Sequence, residues 1–349
     1  MKSKNALCGL SIAVVLHFGV LASSAQTNKY LYSGSETNIT LNPGTYIITA
    51  YGAPGGGSGA PGGLAAEMSA EFNFSASTTL TLLVGEGGGG DGWPGGGGGS
   101  FVVEGGTPLV IAGGGGGAGY TGNRGIGAER GGSGNVSTSG AAGGPVPYGG
   151  GGGTNGGGGS WDGFFGGGGG GFLGNGGGDI NTGQGGGSFV NGGYGGLPGG
   201  GNGGGGGGYV GGQDGQVTGG GGGGYSGGGA GGGGGGGGGG SIIDSSAIVI
   251  LNEVSGIASP DDSTNGEIII TAVPTPVAIT PGAAFGLTNG AFSFDVIGPS
   301  GSNLVIQAST DLQTWIPLQT NLLGSGPLNF SDTNAPANVR RFYRAQLSP

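Results

Sequence analysis

Apolar and polar residues alternate with a period of two along several short stretches of this chain, and no helical period appears beyond its first 25 residues. The clearest case is Met68, Ala70, Phe72 and Phe74, which interleave with Glu67, Ser69, Glu71 and Asn73. That pattern predicts a strand with one buried face and one wet face. Residues 38–41 and 45–51 read as two strands joined by Asn42-Pro43-Gly44, a turn in which proline presets φ and glycine accepts a positive one. Residues 79–84, 100–103, 109–112, 247–250 and 267–271 are further strand stretches, rich in β-branched side chains.

Between residues 85 and 240 the alternation gives way to runs drawn from the chain's 107 glycines. Such a segment is by default a flexible coil. Its interruptions argue for order instead. Trp93, Trp161, Phe164, Phe165, Phe172, Tyr194, Tyr209 and Tyr225 stand between the runs, whereas a disordered linker carries few aromatics. A glycine run also ends three times in the same way: Gly99-Ser100-Phe101-Val102, Gly187-Ser188-Phe189-Val190 and, more weakly, Gly240-Ser241-Ile242-Ile243. The expectation is a bundle of extended threefold glycine helices, able to pack on every side because no side chain intervenes, with the aromatics as apolar pegs that cap it. At about 3.1 Å per residue, the run 231–240 would span about 31 Å as one helix.

The N-terminus decides which chemistry the chain can carry. Lys2 and Lys4 precede an apolar stretch over 6–21 and then Ala22-Ser23-Ser24-Ala25, the layout of a secretory signal cleaved after Ala25. Cleavage removes the only cysteine, Cys8, and the only histidine, His17, and leaves Lys29 as the only lysine. Disulfides, thiolate nucleophiles, Ser-His-Asp triads, haem, ordinary zinc sites and Walker-type phosphate loops are then excluded. The expected mature chain is therefore not an enzyme. It has no catalytic residues, no cofactor or metal site, and no transmembrane helix. The formal charge of −10 becomes −12 when Lys2 and Lys4 leave, so nucleic acid is not an expected partner.

Residues 274–288, with Pro274, Pro276 and Pro281, read as a semi-rigid linker. The β-type sequence of 289–349 reads as a separate small sandwich, with Trp315, Phe330, Phe342 and Tyr343 as its expected core. Arg340, Arg341 and Arg344 are expected at solvent positions of its last strand. Glu67 and Glu71, four residues apart on one strand, are about 13 Å apart and too distant for paired-carboxylate glycoside hydrolysis; both are expected in solvent. Asp261 and Asp262 read as a hydrated turn. Asp91, Asp179 and Asp214 do not form the nonapeptide of calcium β-rolls. Asn38, Asn73 and Asn135 begin N-x-Ser/Thr sequons.

Two resemblances add to this reading. The strings Tyr32-x-Gly34-x-Glu36, Leu41-x-Pro43-Gly44-x-Tyr46 and Ala50-x-Gly52-Ala53-x-Gly55-Gly56 resemble the opening of the bacterial glycine-rich domain family. Leu82-Leu83-Val84-Gly85-x-Gly87-Gly88, Pro108-Leu109-Val110-Ile111-Ala112 with Gly113–116, and Asn265-Gly266-Glu267-Ile268-Ile269-Ile270 extend the match over about 27–273. That family is related to the extracellular glycine-rich domain of the anaplastic lymphoma and leukocyte receptor tyrosine kinases. The resemblance implies an all-β jelly-roll or tumour-necrosis-factor-like sandwich carrying packed polyglycine helices, while this chain lacks the receptors' cysteines, membrane helix and kinase. Phe292-Ser293-Phe294-x-Val296, Val305-Ile306-Gln307-Ala308-Ser309-Thr310-Asp311-Leu312-x-x-Trp315 and Arg341-Phe342-Tyr343-Arg344 resemble the small fibronectin- or immunoglobulin-like domains that end many secreted proteins of environmental bacteria.

The domain plan is thus a signal over 1–25, a glycine-rich β domain over 26–273, a linker over 274–288 and a small sandwich over 289–349. The expected function is that of a secreted structural or binding protein of the cell surface or extracellular matrix, with an extracellular protein or polysaccharide as partner. A mechanical spacer without a specific ligand is the alternative, and a hydrolase using acidic residues only is a remote one.

Overall fold

The computed structural model describes residues 25–348, apart from 90–92, 122–125, 145–148, 162, 164–165, 180–182, 202–203, 207–208, 212–215, 261–263 and 325. Residues 1–24, with Cys8 and His17 of the expected signal, therefore lie outside the described residues, as do Asp91, Asp214, Asp261 and Asp262. The chain is built of short strands: β1 (Thr27–Leu31), β2 (Thr37–Leu41), β3 (Gly44–Tyr51), β4 (Ala65–Phe74), β5 (Thr78–Leu83), β6 (Ser100–Glu104) and β7 (Thr107–Ala112). Four very short strands follow among the glycines, β8 (Gly119–Thr121), β9 (Ile126–Glu129), β10 (Tyr209–Gly211) and β11 (Gln216–Thr218). Then come β12 (Ile242–Ile243), β13 (Val249–Ile257) and β14 (Glu267–Ala272).

Two five-stranded antiparallel sheets, ordered β1-β14-β3-β4-β13 and β12-β7-β6-β5-β2, face each other as a sandwich. The alternating side chains expected to be buried form its core. Met68, Ala70, Phe72 and Phe74 of β4 join Ile48, Ile268 and Ile270 on one side and Leu80, Leu82, Val102 and Val110 on the other. The β2–β3 and β4–β5 turns carry one two-stranded ribbon from sheet to sheet, since β2 pairs with β5 and β3 with β4. The chain alternates direction, so the long connections after β3, β5 and β7 all leave from one end of the sandwich. The short turns at 42–43, 75–77 and 105–106 lie at the other.

The connections at that first end are the glycine runs, and their described residues are ordered. In 113–118 the amides of Gly114 and Gly117 donate to Gly223 and Gly220, those of Gly115 and Ala118 to Ala53 and Gly56, and that of Gly116 to Gly132. Residues three apart thus address the same neighbour, the signature of a threefold helix. Segment 219–224 exchanges such bonds with six others: 93–99, 113–118, 166–171, 204–206, 226–231 and 234–240. Sixfold packing of this kind needs bare backbone on every side. A Cβ at Gly222 would overlap the Gly114 carbonyl oxygen, and one at Gly116 that of Gly236, both closer than the 3.0 Å that real Cβ atoms keep.

The single 31 Å helix expected over 231–240 is not formed. A turn at 232–234, with Gly233 at φ 89°, ends one helix and starts the next antiparallel to it. Gly237 and Gly240 donate back to Gly229 and Ser226. The depth of the bundle sets this: its helices run about six residues, or about 19 Å, and a ten-residue run must reverse to stay within it.

At the C-terminus, β15 (Ala278–Thr280), β16 (Gly286–Thr288), β17 (Ala291–Ile297), β18 (Asn303–Ser309), β19 (Ile316–Leu322), β20 (Leu328–Asp332) and β21 (Phe342–Leu347) form a second, smaller sandwich. β15 and β16 fall inside the stretch expected as linker. Both pair with β17, and Val277 and Ile279 pack on the core, so the structured domain begins near residue 277. That core is Phe292, Phe294, Val296, Leu304, Ile306, Phe330 and Tyr343. Trp315 is not in it. The indole lies under the Arg344 guanidinium, 4.3 Å from ring centroid to Cζ.

Candidate functional site: the anchored glycine bundle

The three Gly-Ser-Φ strings prove to be joints of the bundle. Each serine is fully buried. The Ser100 hydroxyl accepts from the Gly85 amide at 3.1 Å and donates to the Tyr51 carbonyl at 2.6 Å, tying three chain crossings at the sandwich end. Ser241 accepts from the Gly113 amide at 2.9 Å and donates to the Asn135 carbonyl at 2.7 Å. Ser188 takes the Asn191 carboxamide, and its amide donates to Asn175 Oδ1. A hydroxyl both donates and accepts, so one serine satisfies two backbone groups that interrupted helices would leave buried and unpaired. Ser226 does the same for the Gly156 amide and the Thr138 carbonyl. Sequence reasoning missed it because no repeated string flags it; the available signal was a lone hydroxyl inside a glycine run.

The aromatic pegs divide into two groups. Phe172 and Phe189 are buried. Phe189 stacks on Phe101 of β6 at 5.1 Å between centroids and on Phe172 at 5.4 Å, with Tyr225 beyond. With Leu83, Val103 and Ile111 they make a second core on the outer face of the β12–β2 sheet, which locks the bundle to the sandwich. The repeated string therefore brings its two phenylalanines, Phe101 and Phe189, into contact. Trp93, Trp161 and Tyr194, by contrast, are 42%, 37% and 49% exposed, and Leu173, Val190 and Leu197 are exposed with them. These do not cap the bundle; they stand on its outer surface. Phe164 and Phe165 lie outside the described residues, as does the Tyr209 side chain.

The acidic residues are arranged differently from expectation. Glu67 is buried, with 8% of its surface exposed, and Ser69 on the same face is buried too. The register sets Glu267, Tyr51 and Glu67 side by side across β14, β3 and β4. The Tyr51 hydroxyl bonds to Glu67. Burial first, and then the Glu67 and Glu267 charges, push the Tyr51 phenol up to about 12. Glu267 is fully buried; Lys29 Nζ meets Oε1 as an ion pair at 2.9 Å, at an angle too poor for a hydrogen bond, and Oε2 has no partner. Alternation along a strand tells faces apart, but not whether a bulky neighbour roofs the outer face. Among the described residues no group of three or more His, Cys, Asp or Glu side chains could hold a metal ion. Asp179 sits at an isolated bridge to Gly183.

The arginine cluster at the C-terminus is not simply solvent-facing. Arg341 Nε donates to the buried Asp332 at 2.6 Å, where the Tyr343 hydroxyl also donates. Arg344 covers Trp315 and donates to Gln307, and only Arg340 is exposed. The Asp311 carboxylate accepts from the Thr314 and Gln313 amides and from the Ser309 hydroxyl, which hold it down at about 2. The Ser309-x-Asp311 pair therefore serves as a turn clasp. Asn135 of the third sequon is already engaged, its carboxamide donating to Gly239 and accepting from Ser137. Among the described residues no helix is long and apolar enough to cross a membrane. No family model matches the chain, and none of the curated proteins matches it.

Proposed function

We propose that the chain is a secreted or surface-displayed protein without a catalytic role, whose glycine bundle holds exposed aromatic side chains rigidly for contact with an extracellular protein or polysaccharide. The observation that carries this reading is the exposure of Trp93, Trp161 and Tyr194 close to glycines whose amides are tied to neighbouring segments, Gly96, Gly159 and Gly196 among them. Aromatic side chains on a rigid support lose little freedom on binding, which is where much of the cost of association lies. The signal-like N-terminus and the motif resemblance to the bacterial glycine-rich domain family support the same assignment.

The test is a pull-down and glycan-array comparison of the mature chain with its Trp93→Ala/Trp161→Ala/Tyr194→Ala variant. The expected result is a saturable partner whose binding falls at least tenfold in the variant. Equal binding by both chains would reject the aromatic surface. Absence of any saturable partner would favour a mechanical spacer, a role that the hydrogen-bonded bundle would also serve.

A further inference from the structure

The end of the sandwich opposite the bundle faces the C-terminal domain across a cleft of about 490 Å³, within the range of small-ligand sites and at a domain boundary where such sites concentrate. Its sandwich wall is the start of β3 and the ends of β4 and β14; its other wall is the turn at 298–300 and Gly324. No ionised side chain lines it. The carboxamides of Gln26, Asn42 and Asn73 and the hydroxyls of Thr45 and Ser75 reach this cleft without a hydrogen-bond partner elsewhere in the described chain. Tyr46 and Phe74, 6.0 Å apart between ring centroids, supply an aromatic wall. Tyr46 is held there by donating its hydroxyl to the Asn42 carbonyl at 3.0 Å.

A carboxamide offers donors and an acceptor at once, and so does a hydroxyl. A cleft lined by carboxamides and hydroxyls beside aromatic carbon, with no charged side chain, matches a ligand with many neighbouring hydroxyls. A bound ion would meet no opposite side-chain charge, the one formal charge nearby being the α-amino group that cleavage after Ala25 would leave on Gln26. A docked peptide would need a free strand edge or discrete apolar pockets, and the cleft is instead lined by strand ends and turns. We infer that this cleft is a binding site for a neutral oligosaccharide, separate from the aromatic surface of the bundle.

Isothermal titration of the mature chain with neutral hexasaccharides (β-1,4-glucan, β-1,3-glucan and β-1,4-mannan), and with oligogalacturonate as the charged comparator, tests this. Two variants complete the experiment. Asn42→Ala/Asn73→Ala removes two exposed carboxamides that hold nothing else, and Gly324→Trp fills the cleft from a position with open space around it. Saturable binding of at least one neutral hexasaccharide is expected, weakened about tenfold or more in the first variant and lost in the second, with oligogalacturonate bound no more tightly than that neutral ligand. Failure of all three neutral probes to saturate overturns the inference, as does equal binding by wild type and both variants. Binding that is lost only in Trp93→Ala/Trp161→Ala/Tyr194→Ala would overturn the cleft while leaving the bundle reading intact.

Discussion

At the scale of single residues, glycine here is chosen for what it lacks. Gly222 donates to Gly237 while the space its Cβ would need is taken by the Gly114 carbonyl. Gly222→Ala must push two helices apart, and the expected loss is about 3 kcal/mol or more, read from the urea midpoint. Gly324→Ala, with nothing within 4 Å, should leave that midpoint within error. Tyr51 gives a pH signature. Its folded-state pKa is raised to about 12, against about 10 in an unfolded chain, so folding favours the protonated phenol. That contribution is complete below about pH 10 and is lost as pH rises toward about 12. Urea midpoints should fall across this window, and less steeply in Tyr51→Phe; Tyr343, also raised by burial and by Asp332, acts in the same direction. The glycine requirement was legible in the residues as composition. The buried state of Glu67 was not, because period two separates faces without saying what a neighbouring strand lays over them.

At the scale of elements, the strands expected from alternation all appear, with ends shifted by a few residues where a turn or bulge intervenes; β13 continues to Ile257 through two register shifts. The short strands β8 to β11 were not foreseen, since three or four residues among glycines carry no period. The threefold helices were legible only through their interruptions. The reversal at 232–234 left no trace in ten identical residues. Position within the bundle, which sequence does not encode locally, should govern amide exchange. Segment 219–224 is enclosed by six neighbours, whereas 149–154 carries exposed residues at its outer side, Gly151 among them. Exchange followed by mass spectrometry should therefore be slowest in 219–224 and faster by at least tenfold in 149–154. Equal rates would mean that the bundle opens as one unit or is not packed.

At the scale of the molecule, one end of the sandwich carries the bundle and the other meets the C-terminal domain, so the two candidate binding regions lie at opposite poles. β7 and β12 are hydrogen-bonded neighbours, Ile111 beside Ile242, although the whole stretch 113–241 separates them. Most of the bundle is in effect the connection of a single hairpin, closed by the Ser241 clasp and the Phe101–Phe189 stack, and the connections after β3 and β5 join it. The strand alternation made the all-β sandwich readable, while the C-terminal boundary was misplaced because Pro274, Pro276 and Pro281 suggested a linker where strand pairing begins. The threefold repeat has a further consequence, for the lengths this chain can tolerate. One glycine inserted after Gly221 would rotate every later amide of that helix by about a third of a turn and aim it at the wrong neighbour. Three inserted glycines would restore each direction and cost only an outward slide of about 9 Å. Single insertions should lower the thermal midpoint more than triple ones, the reverse of what added bulk alone would do. Homopolymeric glycine, the kind of sequence most prone to gain or lose a residue unnoticed, is here a counted register read in threes.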